Sequence, residues 1–170
     1  MILWHAGIAC ALVYVTLGRR RIDYRFIILG AIFPDLLDGL LAVTGAIPTS
    51  RGPAHSLIFV TLEAIAILVI FKGERRLAVF GLAVGMLTHL VADGMWNLPE
   101  TFLWPMFGSG FDAVPPEPYQ WSLLLAPWQH LSTWAGELVG AGVLAWFVVA
   151  FSLGDQERRR LFMKDGYLRP

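Results

Sequence analysis

Apolar residues run almost without interruption over about 2–18, 26–47, 56–71, 77–96 and 132–153. The breaks between them are Arg19-Arg20-Arg21, Ser50-Arg51-Gly52-Pro53, Lys72-Gly73-Glu74-Arg75-Arg76 and a long loop at 97–131. Each run approaches the roughly 17–25 residues that a helix needs to cross a bilayer. The pattern predicts an all-α, polytopic integral membrane bundle of about five transmembrane helices. The run 56–71 is short and 26–47 carries two aspartates, which makes these two the least regular.

Composition places the chain in lipid. Hydrophobic residues make up 56% of it and charged residues 15%, with a mean hydropathy of +0.61, far too apolar for a soluble domain of this size. Thirteen basic residues balance thirteen acidic ones, so net charge offers no electrostatic footprint for a nucleic-acid partner. The single cysteine, Cys10, lies in the first apolar run and has no internal partner for a disulfide.

The distribution of charge orients the bundle. If five helices alternate, Arg19, Arg20, Arg21, Arg25, Lys72, Arg75, Arg76, Arg158, Arg159, Arg160, Lys164 and Arg169 all fall on one side, which the positive-inside rule assigns to the cytoplasm. The N-terminus is then outside the plasma or inner membrane and the C-terminus inside. Residues 1–153 form the membrane-embedded domain in this reading, and 154–170 a cytoplasmic tail. The first run has its positive charge after the apolar stretch, unlike a signal peptide, and is expected to be retained. The loop 97–131 contains no Lys or Arg and faces out; its Trp104, Trp121 and Trp128 suit an interfacial belt, with a surface helix expected over 118–131. Arg51 is the one basic residue on the outer side.

All four histidines reach that same side. His89 and Asp93 stand at i and i+4, one turn apart on one helical face, as two ligands of one metal require. Asp35 and Asp38, after Pro34, share a face at i and i+3. Two ionised carboxylates side by side in lipid repel each other, and a divalent cation relieves that cost. His55 lies where the outer loop enters the third helix, and His5 one turn into the first. Arg51 offers a planar fork for phosphate or carboxylate. Glu63 and Glu137 are buried ionisable groups without a local motif and read as supporting partners, and His130 reads as an interface residue. No G-x-S-x-G elbow, glycine-rich phosphate loop or dinucleotide fingerprint is present.

Taken in order, His5, Pro34-Asp35 with Asp38, Arg51-Gly52-Pro53-Ala54-His55-Ser56, His89-x-x-x-Asp93 and Trp104-Pro105 resemble the membrane-bound metal-dependent hydrolases, the family that includes the LexA-regulated inner-membrane hydrolases. The resemblance covers about residues 3–108. Relative to the usual H-R-G-x-T-H-S run this chain departs at Ser50 and Ala54, and its aspartate motif is one residue longer than P-D-x-D. The ligand order is also similar to that of the zinc-dependent phospholipase C and nuclease group. The resemblance implies an enzyme, a metal-dependent hydrolase of a phosphoester, with a small-molecule or lipid substrate in the bilayer.

The expected metal ligands are His5, Asp35, His55, His89 and Asp93, with Asp38 as a sixth or as ligand to a second metal. Nitrogen and carboxylate donors without thiolate suit zinc, or manganese or iron. Asp38 or Asp93 is the expected general base and Arg51 the phosphate-binding residue. Two other readings use the same residues: a proton- or ion-coupled carrier, and a structural protein whose polar groups only join helices.

Overall fold

The computed structural model describes residues 1–17, 22–111 and 131–169, and among them there is no β-strand. Their α-helices are α1 (Ile2–Leu17), α2 (Tyr24–Val43), α3 (Leu57–Ile70), α4 (Gly73–Val79), α5 (Gly81–Ala92), α6 (Pro99–Phe102), α7 (Leu131–Ala150) and α8 (Gln156–Asp165). Single 3-10 turns occupy Pro53–His55 and Met95–Asn97. This is the all-helical architecture that the apolar runs predict. Tyr24–Val43, Gly73–Ala92 and Leu131–Ala150 are long and apolar enough to cross a membrane.

The first and third runs come out shorter than five full spans require. Helix α1 has 16 residues and α3 has 14, which at 1.5 Å per residue rise only about 24 and 21 Å against about 30 Å of hydrocarbon. For α3 the cause is local. Residues Pro53–His55 wind as a 3-10 turn, and the Ser56 hydroxyl then accepts the Phe59 amide at 3.3 Å, so the α-helix begins only at Leu57. The outward faces remain apolar: Val15, Val69 and Val149 are 81%, 72% and 78% exposed, a surface that suits lipid.

Backbones approach closely where side chains vanish. Helix α2 packs most extensively on α5, and a Cβ on Gly30 would strike the Leu82 carbonyl, one on Gly85 the Ile27 carbonyl. The pairing of α1 with α7 is built the same way, around Gly7 and Gly140. Small residues at such crossings let membrane helices gain van der Waals contact that lipid would otherwise supply. Between α1, α2 and α7 lies a core of Cys10, Val13, Tyr24, Ile27, Phe147 and Phe151, and a second one of Val60, Met86, Leu90 and Met95 joins α3 to α5.

The starts of α1, α3 and α7 and the ends of α2 and α5 share one end of the bundle. At the other end the segment expected as a tail is ordered. Asp155 caps α8 through the amides of Glu157 and Arg158, and Gly166 ends it in the left-handed region at φ 73°. The Tyr24 amide donates to the Gly166 carbonyl at 3.0 Å and the Arg25 guanidinium to the Met163 carbonyl at 2.6 Å, which docks α8 on the start of α2. The predicted surface helix at 118–131, with Trp121 and Trp128, falls outside the described residues except for Leu131, where α7 begins.

Reporter fusions after Ile47 should read on the opposite side of the membrane from fusions after Arg76 and Asp155, with the Ile47 reporter outside. Agreement between Ile47 and Arg76 would refute the arrangement. Gly85→Leu should cost about 1–3 kcal/mol in a denaturation series in detergent, because the obstructing atoms are backbone and cannot swing aside. A change below about 0.5 kcal/mol would show that α2 and α5 do not touch there.

Candidate metal centre

Each helix brings its donor to the shared end for a local reason. His5 stands one turn into α1. Asp35 follows Pro34, which has no amide to give to Gly30 and crowds the preceding turn. From that turn the Ala31 carbonyl meets His89 Nδ1 at 2.7 Å. His55 closes the 3-10 turn ahead of α3. His89 and Asp93 end α5, Asp93 as its C-cap.

The five residues converge. His5 Nε2 lies 3.1 Å from Asp93 Oδ1 and 3.9 Å from Asp35 Oδ2. His55 Nε2 is 3.6 Å from Asp35 Oδ1 and 3.9 Å from Asp93 Oδ2, and His89 Nε2 is 3.7 and 3.9 Å from the same two oxygens. The Nε2 atoms of His55 and His89 stand 3.2 Å apart. His5, Asp35 and His89 offer ligand atoms within 4.8 Å of one another, as do His55, His89 and Asp93.

Their partners fix where the lone pairs point. The Ala31 carbonyl can only accept, so His89 carries its proton on Nδ1 and leaves Nε2 bare. The Asp38 carboxylate holds His55 Nδ1 at 2.7 Å in the same way. Two bare Nε2 atoms 3.2 Å apart, with two carboxylates around them, form an electron-rich pocket that a cation neutralises. The donor set therefore fits a divalent metal.

Asp38 occupies a different place from its sequence neighbour. It is fully buried, and besides His55 Nδ1 it accepts the amides of Gly52, Ala54 and His55 at 2.8, 3.2 and 3.2 Å. Both its oxygens face the 3-10 turn. The expected position among the ligands, or as a base at the centre, is thus replaced by one behind His55. The i, i+3 spacing turns Asp38 about 60° around α2 from Asp35, enough to aim it at the loop.

Arg51 joins the cluster, with Nε 3.4 Å from Asp93 Oδ2 and a side chain 27% exposed. Glu137 comes from α7 and its Oε2 accepts the Leu3 amide at 2.9 Å, capping the first turn of α1 two residues before His5. Glu63 is remote: it lines a cleft of about 800 Å³ together with Asp23, Arg25, Arg75 and Lys164 at the opposite end. His130 lies outside the described residues. The Ala31 carbonyl is the partner that the residue pattern did not name, because Pro34 frees the Gly30 carbonyl instead and a backbone acceptor at 31 leaves no mark in the sequence.

Burial disfavours the imidazolium of His55, yet hydrogen bonds to Asp35 and Asp38 outweigh it and raise its pKa to about 8. Burial would likewise push the Asp93 carboxyl up, but the hydrogen bond from His5 and the charges of His5, His89 and Arg51 hold it below the ordinary value.

His89→Ala should abolish tight zinc binding measured by elemental analysis and calorimetry. Asp38→Ala, which removes no facing donor, should weaken it about 10–100-fold by releasing His55. Equal, complete loss in both variants would place Asp38 among the ligands.

The family model described as YdjM inner membrane protein matches residues 1–158. No curated protein and no solved structure matches the chain. The chain belongs to the YdjM inner membrane protein family.

Proposed function

We propose that this inner-membrane protein is a metal-dependent hydrolase of phosphoesters, working at the outer face. The observation that carries the reading is the convergence of three imidazoles and two carboxylates, with bare Nε2 atoms facing each other and one arginine alongside. His5, Asp35, His55, His89 and Asp93 would hold the ion, and zinc suits this nitrogen and oxygen set, with manganese or iron as substitutes. His89 belongs to both three-residue groups and has only Nε2 to give, which favours a single ion.

A divalent cation in this set supplies Lewis acidity and hydroxide near neutral pH. Arg51 presents paired guanidinium hydrogens to two phosphate oxygens, a geometry lysine lacks. Of the two carboxylates expected to act as general base, Asp93 faces the centre and Asp38 is walled off, so proton transfer falls to Asp93. Asp38 and the Ala31 carbonyl hold the His55 and His89 rings in place.

The test is a screen of phosphomonoesters, phosphodiesters, phospholipids and carboxylic esters on zinc-loaded protein, with Asp93→Ala as blank. Turnover should be confined to phosphoesters. Arg51→Lys should lower kcat/KM about tenfold or more, the scale of a lost charge-assisted hydrogen bond, while bound zinc stays unchanged. Activity on carboxylic esters alone would overturn the phosphate assignment. Absence of turnover together with zinc flux across liposomes would replace the hydrolase with a carrier.

A further inference from the structure

The open edge of the centre adjoins lipid-facing surface. Among the converging donors His5, His55, His89 and Asp93 are at most 6% exposed, whereas the Asp35 side chain is 32% exposed. Asp35 borders a stripe of exposed apolar residues along α2: Leu29 at 51%, Phe33 at 39%, Leu36 at 58%, Leu40 at 62% and Val43 at 73%. Their spacing of i, i+4, i+7, i+11 and i+14 keeps them on one helical face, on which Leu36 lies about 100° and Leu29 about 120° round from Asp35, while Phe33 lies on the far edge at about 160°.

Depth agrees with this. His5 and His89 lie within about one turn of the ends of α1 and α5, roughly 5 Å below those ends. That is where a bilayer passes from head groups to acyl chains. From beside Asp35 the stripe continues from Leu36 through Leu29 toward the middle of the bundle. A phosphate held by Arg51 at the centre would leave an acyl chain lying along these residues, without leaving the membrane.

We infer that the substrate is a glycerophospholipid that reaches the centre sideways from the outer leaflet past Asp35, its phosphate at Arg51 and its chain along Leu36 and Leu29. The inference rests on the hydrolase reading above. In the reaction, a water oxygen forms a new bond to phosphorus, the bond from phosphorus to one of the two alcohol oxygens breaks, and that oxygen takes up the proton the water loses through Asp93. The products are a phosphomonoester and an alcohol. Burial of a chain against the stripe supplies the binding energy that a short, water-soluble phosphodiester lacks.

The experiment compares a long-chain phospholipid in mixed micelles with its dibutanoyl analogue bearing the same head group, on zinc-loaded protein. The expected ratio of kcat/KM is about 100 or more in favour of the long chain. Leu36→Gln, and separately Leu29→Gln, should each pull that ratio at least tenfold toward one; bound zinc reports that the variant is folded. Native mass spectrometry of the metal-free protein should retain one long-chain phospholipid, and lose it in Arg51→Ala. Equal turnover of both substrates, a ratio untouched by both variants, or no retained lipid overturns lateral access while leaving the hydrolase intact. Failure of both substrates on zinc-loaded protein overturns the hydrolase itself.

Discussion

Imidazole lone pairs and carboxylates aimed at one point repel each other, and an apolar helical bundle screens that repulsion poorly. The Nε2 atoms of His55 and His89, 3.2 Å apart, and the carboxylates of Asp35 and Asp93 are stable together only with positive charge among them. Under the proposed function a divalent ion supplies that charge. The rest of the end of the bundle is arranged around that condition. Asp38 and the Ala31 carbonyl turn the rings, Glu137 caps α1 ahead of His5, and Arg51 lies against Asp93.

Much of this was legible in the chain. Apolar runs predicted the helices, and alternation of those runs placed His5, Asp35, His55, His89 and Asp93 at one end, where they indeed meet. Asp38 was not legible, because i, i+3 spacing says which face of α2 it occupies and nothing of the loop folded over that face. Three amides from residues 52–55 claim its oxygens, and backbone amides leave no mark in a side-chain pattern. At α3 the apolar run 56–71 and the helix Leu57–Ile70 agree to within one residue at each end, with the Ser56 cap setting the start. The docking of α8 on the start of α2 rests on the Tyr24 amide and the Arg25 guanidinium meeting backbone carbonyls, contacts invisible in the polar composition of 154–170.

Charge asymmetry and chemistry are separated along the bundle axis. Basic residues gather where α8 meets the start of α2, and the donors gather at the far end. That separation frees the donor end from the demands of orientation. The arginine found there, Arg51, is then conspicuous on electrostatic grounds alone, which is how the residue pattern singled it out before any geometry was known.

The glycine crossing of α2 and α5 divides the centre into two unequal halves. Asp35, His89 and Asp93 ride on a pair of helices locked backbone to backbone, with the His89 ring pinned across the gap by Ala31. His55 comes from the 52–55 turn, which Asp38 on α2 fastens through three amides and the ring nitrogen, and His5 from α1, whose first turn Glu137 caps from α7. Four of the five donors thus stand on α2, on α5 or on a turn tied to α2, and His5 alone reaches them from another helix pair. A slide of α1 along α2 would move that one donor and leave the other four in register.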